Sequence, residues 1–234
     1  MTNCQFARFI AAGGYENPEY WGGEESAAWR WRIGEPRYDR QRTDAPDRWD
    51  DSRFGKSRRG YPVVGVSWYE AQAYCAWLAE EFQVSGFKFQ VWCGGKPETL
   101  NLEPETLTVR LPTEQEWVAA AGGEEGDRYL WGQDWDESRA NTWEGSICGI
   151  TPVAMYLSGQ SPPGVWDMGG NVWEWMAFPE EVKPLRGGSW LDSQEGARVR
   201  ARRGSNPVFS ATTGGFGWWF PPLVLVPDVL VAGC

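Results

Sequence analysis

The sequence predicts an α+β fold that is rich in loops and has only a few short helices and strands. The 234 residues include 17 Trp, 29 Gly and 16 Pro. So much aromatic area beside so many turn residues indicates long connections held down by buried rings, and it disfavours a helical bundle or a regular parallel sheet. Because domains typically have roughly 100–200 residues, we expect one domain over residues 1–234.

Three helices are predicted from a capping sequence that occurs three times. In each case a hydroxyl residue at the N-cap precedes a Glu or Gln three positions later, and together they satisfy free backbone donors of the first turn. The pairs are Thr2 with Gln5, Ser67 with Glu70, and Thr113 with Glu116. Apolar residues follow at helical spacing, and glycine pairs that begin at Gly13 and Gly122 end the first and third helices.

The remaining elements are predicted as short strands and long loops. Extended segments are expected at 62–66, 109–111, around Leu185, 198–202 and 216–231. Residues 16–60 and 83–108 are rich in Gly, Pro and charge, which predicts surface loops. Within the first loop the basic residues from Arg30 to Arg59 alternate with aspartates, which is typical of a solvated, ion-paired segment.

The composition excludes several classes of function. The chain has no His, which excludes Ser-His-Asp and Cys-His catalysis and His-containing zinc or non-haem iron sites. A net charge of −10 argues against nucleic acid as the main partner, because phosphate binding needs a basic surface. No apolar run reaches the roughly 18 residues of a membrane span. No signal peptide is visible after Met1, so localisation stays open, including display on a cell or a phage.

The cysteine pattern disfavours a metal ribbon or a redox motif. None of the five cysteines forms a Cys-x-x-Cys pair; they are Cys4, Cys75, Cys93, Cys148 and Cys234. An odd and sparse set favours buried thiols over a disulfide framework, although one disulfide pair stays open.

Four segments in a fixed order carry a family resemblance. They are residues 66–75 (VSWYEAQAYC), 110–117 (RLPTEQEW), 170–175 (GNVWEW) and 186–190 (RGGSW). Together they resemble the formylglycine-generating-enzyme-like family of sulfatase-modifying factors, whose members have a C-type lectin fold. The resemblance runs from Thr2 to about Phe220, and it implies a C-type lectin-like fold for nearly the whole chain.

This chain lacks the residues that the chemistry of the resembling enzymes requires. The enzymes oxidise a substrate cysteine with two cysteines that bind copper shortly after the Arg-Gly-Gly-Ser-aromatic motif. No Cys lies between Cys148 and Cys234, and residues 191–197 offer Asp, Ser and Gln, which cannot replace thiolates as copper ligands. The related sulfoxide synthases use histidine-bound iron. We therefore predict a non-enzyme without copper; the alternative, a copper-dependent oxidase, would need Cys148 or Cys234 for turnover.

Residues 186–217 resemble the variable proteins of diversity-generating retroelements, a branch of the same family. In those proteins a reverse-transcribed template rewrites chosen codons at the 3′ end of the gene, and the lectin-type scaffold displays the products as a ligand-binding surface. The residues that match the fixed positions are 186–190, 197–199, Arg202, Pro207 and 215–216. Gly217 departs from the pattern, because the family has Arg there.

The resemblance implies a variable, ligand-binding region within residues 186–220, with a protein or another cell-surface ligand as the partner. Its predicted contact residues are Leu191, Asp192, Ser193, Gln194, Ala201, Arg203, Gly204, Ser205, Val208, Phe209, Ala211, Thr212 and Thr213. Arg203 and Phe209 are of the types that anchor interfaces. In the alternative, a lectin-like adhesion domain without diversification, Val208, Phe209 and Ala211 are core residues.

The resemblance also implies structural Ca²⁺. Its ligands would be the carboxylate of Asp167 and the carbonyls of Met168, Gly170 and Val172, since calcium prefers oxygen. The alternative for Asp167 is a loop-capping carboxylate. A second family site, beginning at Asn141 and Thr142, is expected to be incomplete, because its loop is short and has no acid after Glu144. Beside these residues, Trp173 and Trp175 are predicted to pack in the scaffold.

Overall fold

The computed structural model describes residues 1–36, 42–85, 89–93, 96–100, 108–123, 126, 128–209, 218–219, 223–226 and 229–232. Its helices are α1 (Asn3–Ala11), α2 (Ala27–Arg32), α3 (Trp68–Ser85) and α4 (Glu114–Ala120), with short 3-10 turns at Pro18–Trp21, Trp143–Gly145, Leu157–Gly159 and Gln194–Ala197. Its strands are β1 (Phe89–Cys93), β2 (Lys96–Leu100), β3 (Thr108–Arg110), β4 (Trp173–Trp175), β5 (Lys183–Arg186), β6 (Arg202–Ser205), β7 (Trp218–Trp219), β8 (Leu223–Val226) and β9 (Val229–Ala232). The predicted α+β fold with short elements is confirmed.

The three predicted capping boxes are confirmed at α1, α3 and α4. In the Thr2 and Thr113 boxes, the threonine hydroxyl accepts the backbone N–H of the residue three positions later. The side chain of that residue accepts the backbone N–H of the threonine in return. At α3 the backbone N–H of Ser67 donates to Glu70 Oε2 at 2.7 Å, and the N–H of Glu70 donates to Ser67 Oγ at 3.2 Å. These helix starts were predictable because each depends only on neighbouring residues.

The strands that the structure describes form three sheets. Their orders are β1-β2, β3-β8-β9 and β6-β5-β4-β7. In the third sheet β5 pairs antiparallel with β4 and β6, whereas β4 and β7 are parallel. The strand predicted at 198–202 was placed too early, because Arg198 and Ala201 close a turn (N···O 2.9 Å) and β6 begins only at Arg202. Residues 62–66 contribute a single bridge, from Thr2 to Pro62.

The core is built from aromatic rings that come from distant segments. Phe6 and Phe9 of α1 pack on Tyr74 of α3, with ring centroids 5.5 and 5.8 Å apart. The prediction that residues 16–60 are a surface loop was wrong for its first half, because Trp21 and Trp31 are buried. The area of these rings outweighs the polarity of their neighbours, so the segment wraps over the core instead of leaving it.

The basic segment is ion-paired, as predicted. Arg53 contacts Asp51 at 2.9 Å, and Lys56 contacts Asp50 at 2.5 Å. Arg32 departs from the pattern: its side chain is buried, and it contacts the carboxylate of Asp44 at 2.8 Å. Its guanidinium also lies over the ring of Trp29 in the same helix, 5.1 Å from the ring centroid.

Three cysteines are described with their side chains, and all three are free thiols. Cys75 lies in the core, Cys4 is half-buried and Cys148 is exposed. Of these three, only Cys75 fits the prediction of buried thiols, and the side chains of Cys93 and Cys234 lie outside the described part of the chain. Among the residues that the structure describes, no helix has the length and apolarity to cross a membrane.

Candidate functional site

The segment that follows β5 is anchored by a buried arginine. Arg186, at the end of β5, is 4% exposed and directs its guanidinium to Glu114 Oε1, at 2.7 Å from Nη2. Its Nη1 also donates to the carbonyl of Val199 at 3.2 Å. A buried guanidinium without partners would cost much free energy. The contacts with Glu114 and Val199 therefore fix the position at which the chain leaves β5.

Two glycines then turn the chain. Gly187 and Gly188 have φ of +94° and +77°, in the region that glycine adopts without strain. A Cβ at Gly188 would lie 2.4 Å from the carbonyl oxygen of Gly196. The Arg-Gly-Gly sequence thus brings the 188–190 turn into contact with the 3-10 turn Gln194–Ala197.

The carboxylate of Asp192 closes the next loop. Its Oδ2 accepts hydrogen bonds from Ser189 Oγ at 2.5 Å and from the indole of Trp173 at 2.9 Å. Its backbone carbonyl accepts from the N–H of Trp143 at 3.0 Å. Asp192 therefore has an internal role that sequence reasoning missed, although it was counted among the predicted contact residues.

Exposure along residues 191–209 differs between most fixed and variable positions, although the fixed Arg198 is half-buried and the fixed Arg202 is exposed. Ala197, Val199 and Pro207, which match fixed positions, are buried. The described residues at variable positions are half-buried or exposed: Leu191, Asp192, Gln194, Ala201, Ser205 and Val208 are half-buried, and Ser193, Arg203, Gly204 and Phe209 are exposed. Ala211, Thr212 and Thr213 lie outside the described residues, so their placement stays a prediction.

The turn after β6 bears on the alternative interpretation, in which Val208, Phe209 and Ala211 are core residues. The N–H of Trp68 donates to the carbonyl of Pro207 at 3.1 Å, which fixes the turn to the start of α3. Val208 packs against the main core, in keeping with that alternative. Phe209 is 47% exposed, which contradicts it for this residue.

A neighbouring loop, residues 143–148, contributes large apolar side chains that sequence reasoning did not assign. Trp143 is 59% exposed, and Ile147 is 43% exposed. Glu144 Oε1 accepts the N–H of Gln194 at 2.9 Å, so this loop lies against residues 191–194. A tryptophan inside a polar loop was the available signal, but nothing in the sequence links it to a segment 50 residues later.

Of the predicted calcium ligands, only Asp167 has a carboxylate, and the other three offer backbone carbonyls. Asp167 Oδ2 accepts the N–H of Ala154 at 2.6 Å, as a loop-capping carboxylate would, and no described residue hydrogen-bonds to Oδ1. Burial raises the pKa of Asp167. The Gly170 carbonyl accepts the N–H of Val172 at 2.8 Å and keeps a second lone pair. Within the described residues, no group of three or more His, Cys, Asp or Glu could hold a metal.

The position of the family's second calcium site, at Asn141 and Thr142, has a side-chain oxygen that accepts no hydrogen bond from the described residues. The Asn141 amide nitrogen donates to the carbonyl of Gly149 at 2.9 Å and to Asn171 Oδ1 at 3.2 Å. Asn141 Oδ1 is buried and has no hydrogen-bond partner among the described residues. Thr142, however, directs its hydroxyl to Glu144 Oε2 at 2.7 Å. A single amide oxygen supplies too few ligands to hold calcium.

Two comparisons of the sequence identify relatives. The family model for the "Sulfatase-modifying factor enzyme 1-like domain" matches residues 1–217. "Inactive C-alpha-formylglycine-generating enzyme 2" of Bos taurus is 33% identical in an alignment 177 positions long that covers 67% of this chain and 49% of that protein. "Formylglycine-generating enzyme" of Streptomyces coelicolor is 30% identical in an alignment 266 positions long, gaps included, that covers 92% of this chain and 74% of that protein.

A solved structure shares the fold. "Treponema denticola variable protein 1" superposes with a TM-score of 0.51 at 22% identity, covering 75% of this chain and 73% of that one. The relatives include both an inactive protein and an enzyme, and the chain spans about half the length of the bovine and murine proteins that it matches. With its four motifs in order and a family match over residues 1–217, the chain belongs to the formylglycine-generating-enzyme-like family of sulfatase-modifying factors, with a C-type lectin-like fold.

Proposed function

We propose that this chain is a non-enzymatic ligand-binding protein whose residues after Arg186 form a diversified surface on a C-type lectin-like scaffold. One observation carries the proposal: along residues 186–209, positions that match the fixed pattern are mostly buried, whereas positions that match the variable pattern are exposed or half-buried. Substitution at the exposed positions therefore leaves the scaffold intact. Loops on a rigid scaffold are also where binding residues concentrate.

The partner that fits this surface is a protein or another cell-surface ligand. Arg203 and Phe209 supply a charged and an aromatic side chain at exposed positions, and both are residue types that dominate interface energies. The adjacent Trp143 and Ile147 enlarge the apolar part of the surface. Because the 143–148 loop is outside the variable pattern, it would act as a constant contact beside varied ones.

Calcium is proposed as a structural ion at Asp167. One oxygen of this half-buried carboxylate carries no hydrogen bond from the described residues, and the carbonyls of Met168, Gly170 and Val172 follow on the same loop. When bound, calcium would supply only charge and coordination, since it has no redox chemistry. It would hold the loop that leads into β4.

A second candidate function is a copper-dependent oxidase of the formylglycine-generating type. It is favoured by the 30% identity to the Streptomyces coelicolor enzyme. Residues 191–197 hold no Cys, and Cys148 is an exposed free thiol. Oxygen consumption with copper and a cysteine-containing peptide tests it. We expect none, and turnover that Cys148→Ser abolishes would overturn the non-enzymatic proposal.

Two matched libraries on the yeast surface test the binding function. One randomises the exposed or half-buried Ser193, Gln194, Arg203, Ser205 and Phe209; the other randomises the buried Ala197, Val199 and Pro207. Folding is read from protease resistance, and binding from capture of hen lysozyme as the probe protein. We expect the first library to stay folded and to yield lysozyme binders, and the second to unfold.

The contribution of the 143–148 loop to binding is measured in the binders selected from the first library. Trp143→Ala should weaken lysozyme binding by about tenfold. The matched control Leu157→Ala, another exposed apolar residue, should leave binding unchanged. A first library that unfolds as often as the second, or that yields no binder, would contradict the proposed function.

A further inference from the structure

Residues 129–139 form a compact unit outside the surface described above. The backbones of Tyr129 and Gly132 pair in both directions, with N···O distances of 2.8 and 3.3 Å. The Trp131 indole donates to the carbonyl of Asp134 at 3.1 Å, and Asp136 accepts from Arg139 Nε at 2.9 Å. These bonds hold the two turns of the unit without using the side chain of Asp134.

Three aromatic rings converge in this unit. Tyr129 and Trp131 are stacked, with centroids 5.5 Å apart and planes 10° apart. Trp135 lies 5.1 Å from Tyr129 and 5.8 Å from Trp131, tilted to both. The guanidinium of Arg198 sits 4.6 Å from the Tyr129 centroid. Tyr129 is thereby buried, whereas the two tryptophans stay partly accessible.

Trp131 and Trp135 line an open depression of about 590 Å³. The charged residues of its lining are Asp134, Asp136, Glu137 and Arg139. Arg139 is committed to Asp136 and to the carbonyl of Ser158, at 2.9 and 3.1 Å. Among the described residues, none donates a hydrogen bond to the carboxylate of Asp134 or Glu137, and both residues are exposed. The lining therefore carries more negative than positive charge.

We propose that this depression binds an alkylammonium group. The face of an indole attracts a cation through its quadrupole, and a nearby carboxylate adds charge attraction. Asp134 and Glu137 supply two such carboxylates beside the two tryptophans. An anion would be repelled by the same residues. This site is separate from the proposed diversified surface, so the two proposals stand or fall independently.

The test uses the indole N–H signals in NMR spectra of the full chain labelled with nitrogen-15. Trp131→Phe and Trp135→Phe identify the two signals. Tetramethylammonium chloride is the cationic probe, and neopentyl alcohol is its neutral counterpart of similar shape. We expect tetramethylammonium to shift the signals of Trp131 and Trp135, and the alcohol to shift them much less.

Variants without the carboxylates test whether the negative charge of the depression contributes to binding. The double variant Asp134→Asn with Glu137→Gln should weaken tetramethylammonium binding at least about threefold. Glu24→Gln, which changes an exposed carboxylate elsewhere, should not alter it. Choline and a peptide with one lysine, compared in the same way, tell whether a free ammonium compound or a lysine side chain is the better ligand. Equal shifts with the neutral alcohol, or no shift with any of these cations, would overturn the proposal.

Discussion

The buried guanidinium of Arg186 lies 2.7 Å from the carboxylate of Glu114, which opens the first turn of α4. Their separation of 72 residues makes this pair a long-range tie between β5 and α4. Arg202, the first residue of β6, contacts the same carboxylate at 2.8 Å and lies opposite Arg186 in the sheet. Glu114 therefore ties α4 to β5 and to β6, and β6 carries part of the candidate surface.

Replacing Glu114 by Gln should destabilise the protein. The variant keeps the size of the side chain but leaves the buried Arg186 without its counter-charge. Breaking such a pair costs about 3 kcal/mol, measured as the loss in free energy of unfolding in urea. Glu180→Gln, at an exposed position, is the control and should stay within about 0.5 kcal/mol of the parent. Equal stabilities of the two variants would refute this anchor.

Asp192→Ala should also lower the free energy of unfolding, by about 2 kcal/mol, because it leaves two buried donors without an acceptor. The donors are the indole of Trp173 and the hydroxyl of Ser189. Ser193→Ala, next in the chain and exposed, should be nearly neutral. Thermal unfolding of the two variants side by side checks this. If Asp192→Ala is as stable as Ser193→Ala, Asp192 is an ordinary surface residue.

The buried Glu70 should make stability depend on pH. Burial raises its pKa to about 7, although hydrogen bonds from Tyr15 and Ser67 oppose the rise and the charge of Asp47 adds to it. The folded state thus holds a proton that the unfolded chain has already lost. The stability from the neutral carboxyl is complete below about pH 4.5 and is lost as the pH rises through about 7, a change of about 3 kcal/mol.

Urea denaturation of the parent and of Glu70→Gln across this pH range measures the effect. The parent should lose stability relative to the variant as the pH rises, because Gln has no proton to lose. Burial also raises the pKa of Glu174 to about 8, but Glu174 is present in both proteins and cancels in the difference. Parallel curves would show that Glu70 titrates in the ordinary range.

Calcium should raise the unfolding temperature of protein that has been treated with a chelator. An ion that binds only the folded state adds about 2.7 kcal/mol at a concentration 100 times its dissociation constant. Magnesium should stabilise less, because it demands a stricter octahedral geometry. Asp167→Asn should abolish the calcium effect. If saturating calcium leaves the unfolding temperature of the parent protein unchanged, the proposal of a structural calcium ion is wrong.

The sequence predicted what depends on local chemistry. The capping pairs Thr2 with Gln5 and Thr113 with Glu116 close as expected, because donor and acceptor are three residues apart. Trp173 and Trp175 are buried, as predicted from their place in the motif. The motif at residues 186–190 was recognised, but the burial of Arg186 and the turn that follows it were not predicted.

Features that depend on distant partners were not predictable. Trp31 is buried because Trp21 and Tyr69 pack around it, and composition alone made its segment look like a surface loop. The internal role of Asp192 depends on Trp143 and Trp173, which approach it only in the folded chain. The extent of the single domain and the predicted residues after Phe209 stay predictions.

Deep sequencing of the 3′ end of this gene and its flanking DNA, across a natural population, tests the central claim most directly. We predict substitutions at the exposed positions Ser193, Arg203 and Phe209 and their variable neighbours, beside a reverse transcriptase gene and an imperfect repeat. The codons of Arg186, Ala197, Val199 and Pro207 should be constant. A uniform 3′ end with neither neighbour, or substitutions spread equally over these buried residues, would contradict the claim that this surface is diversified.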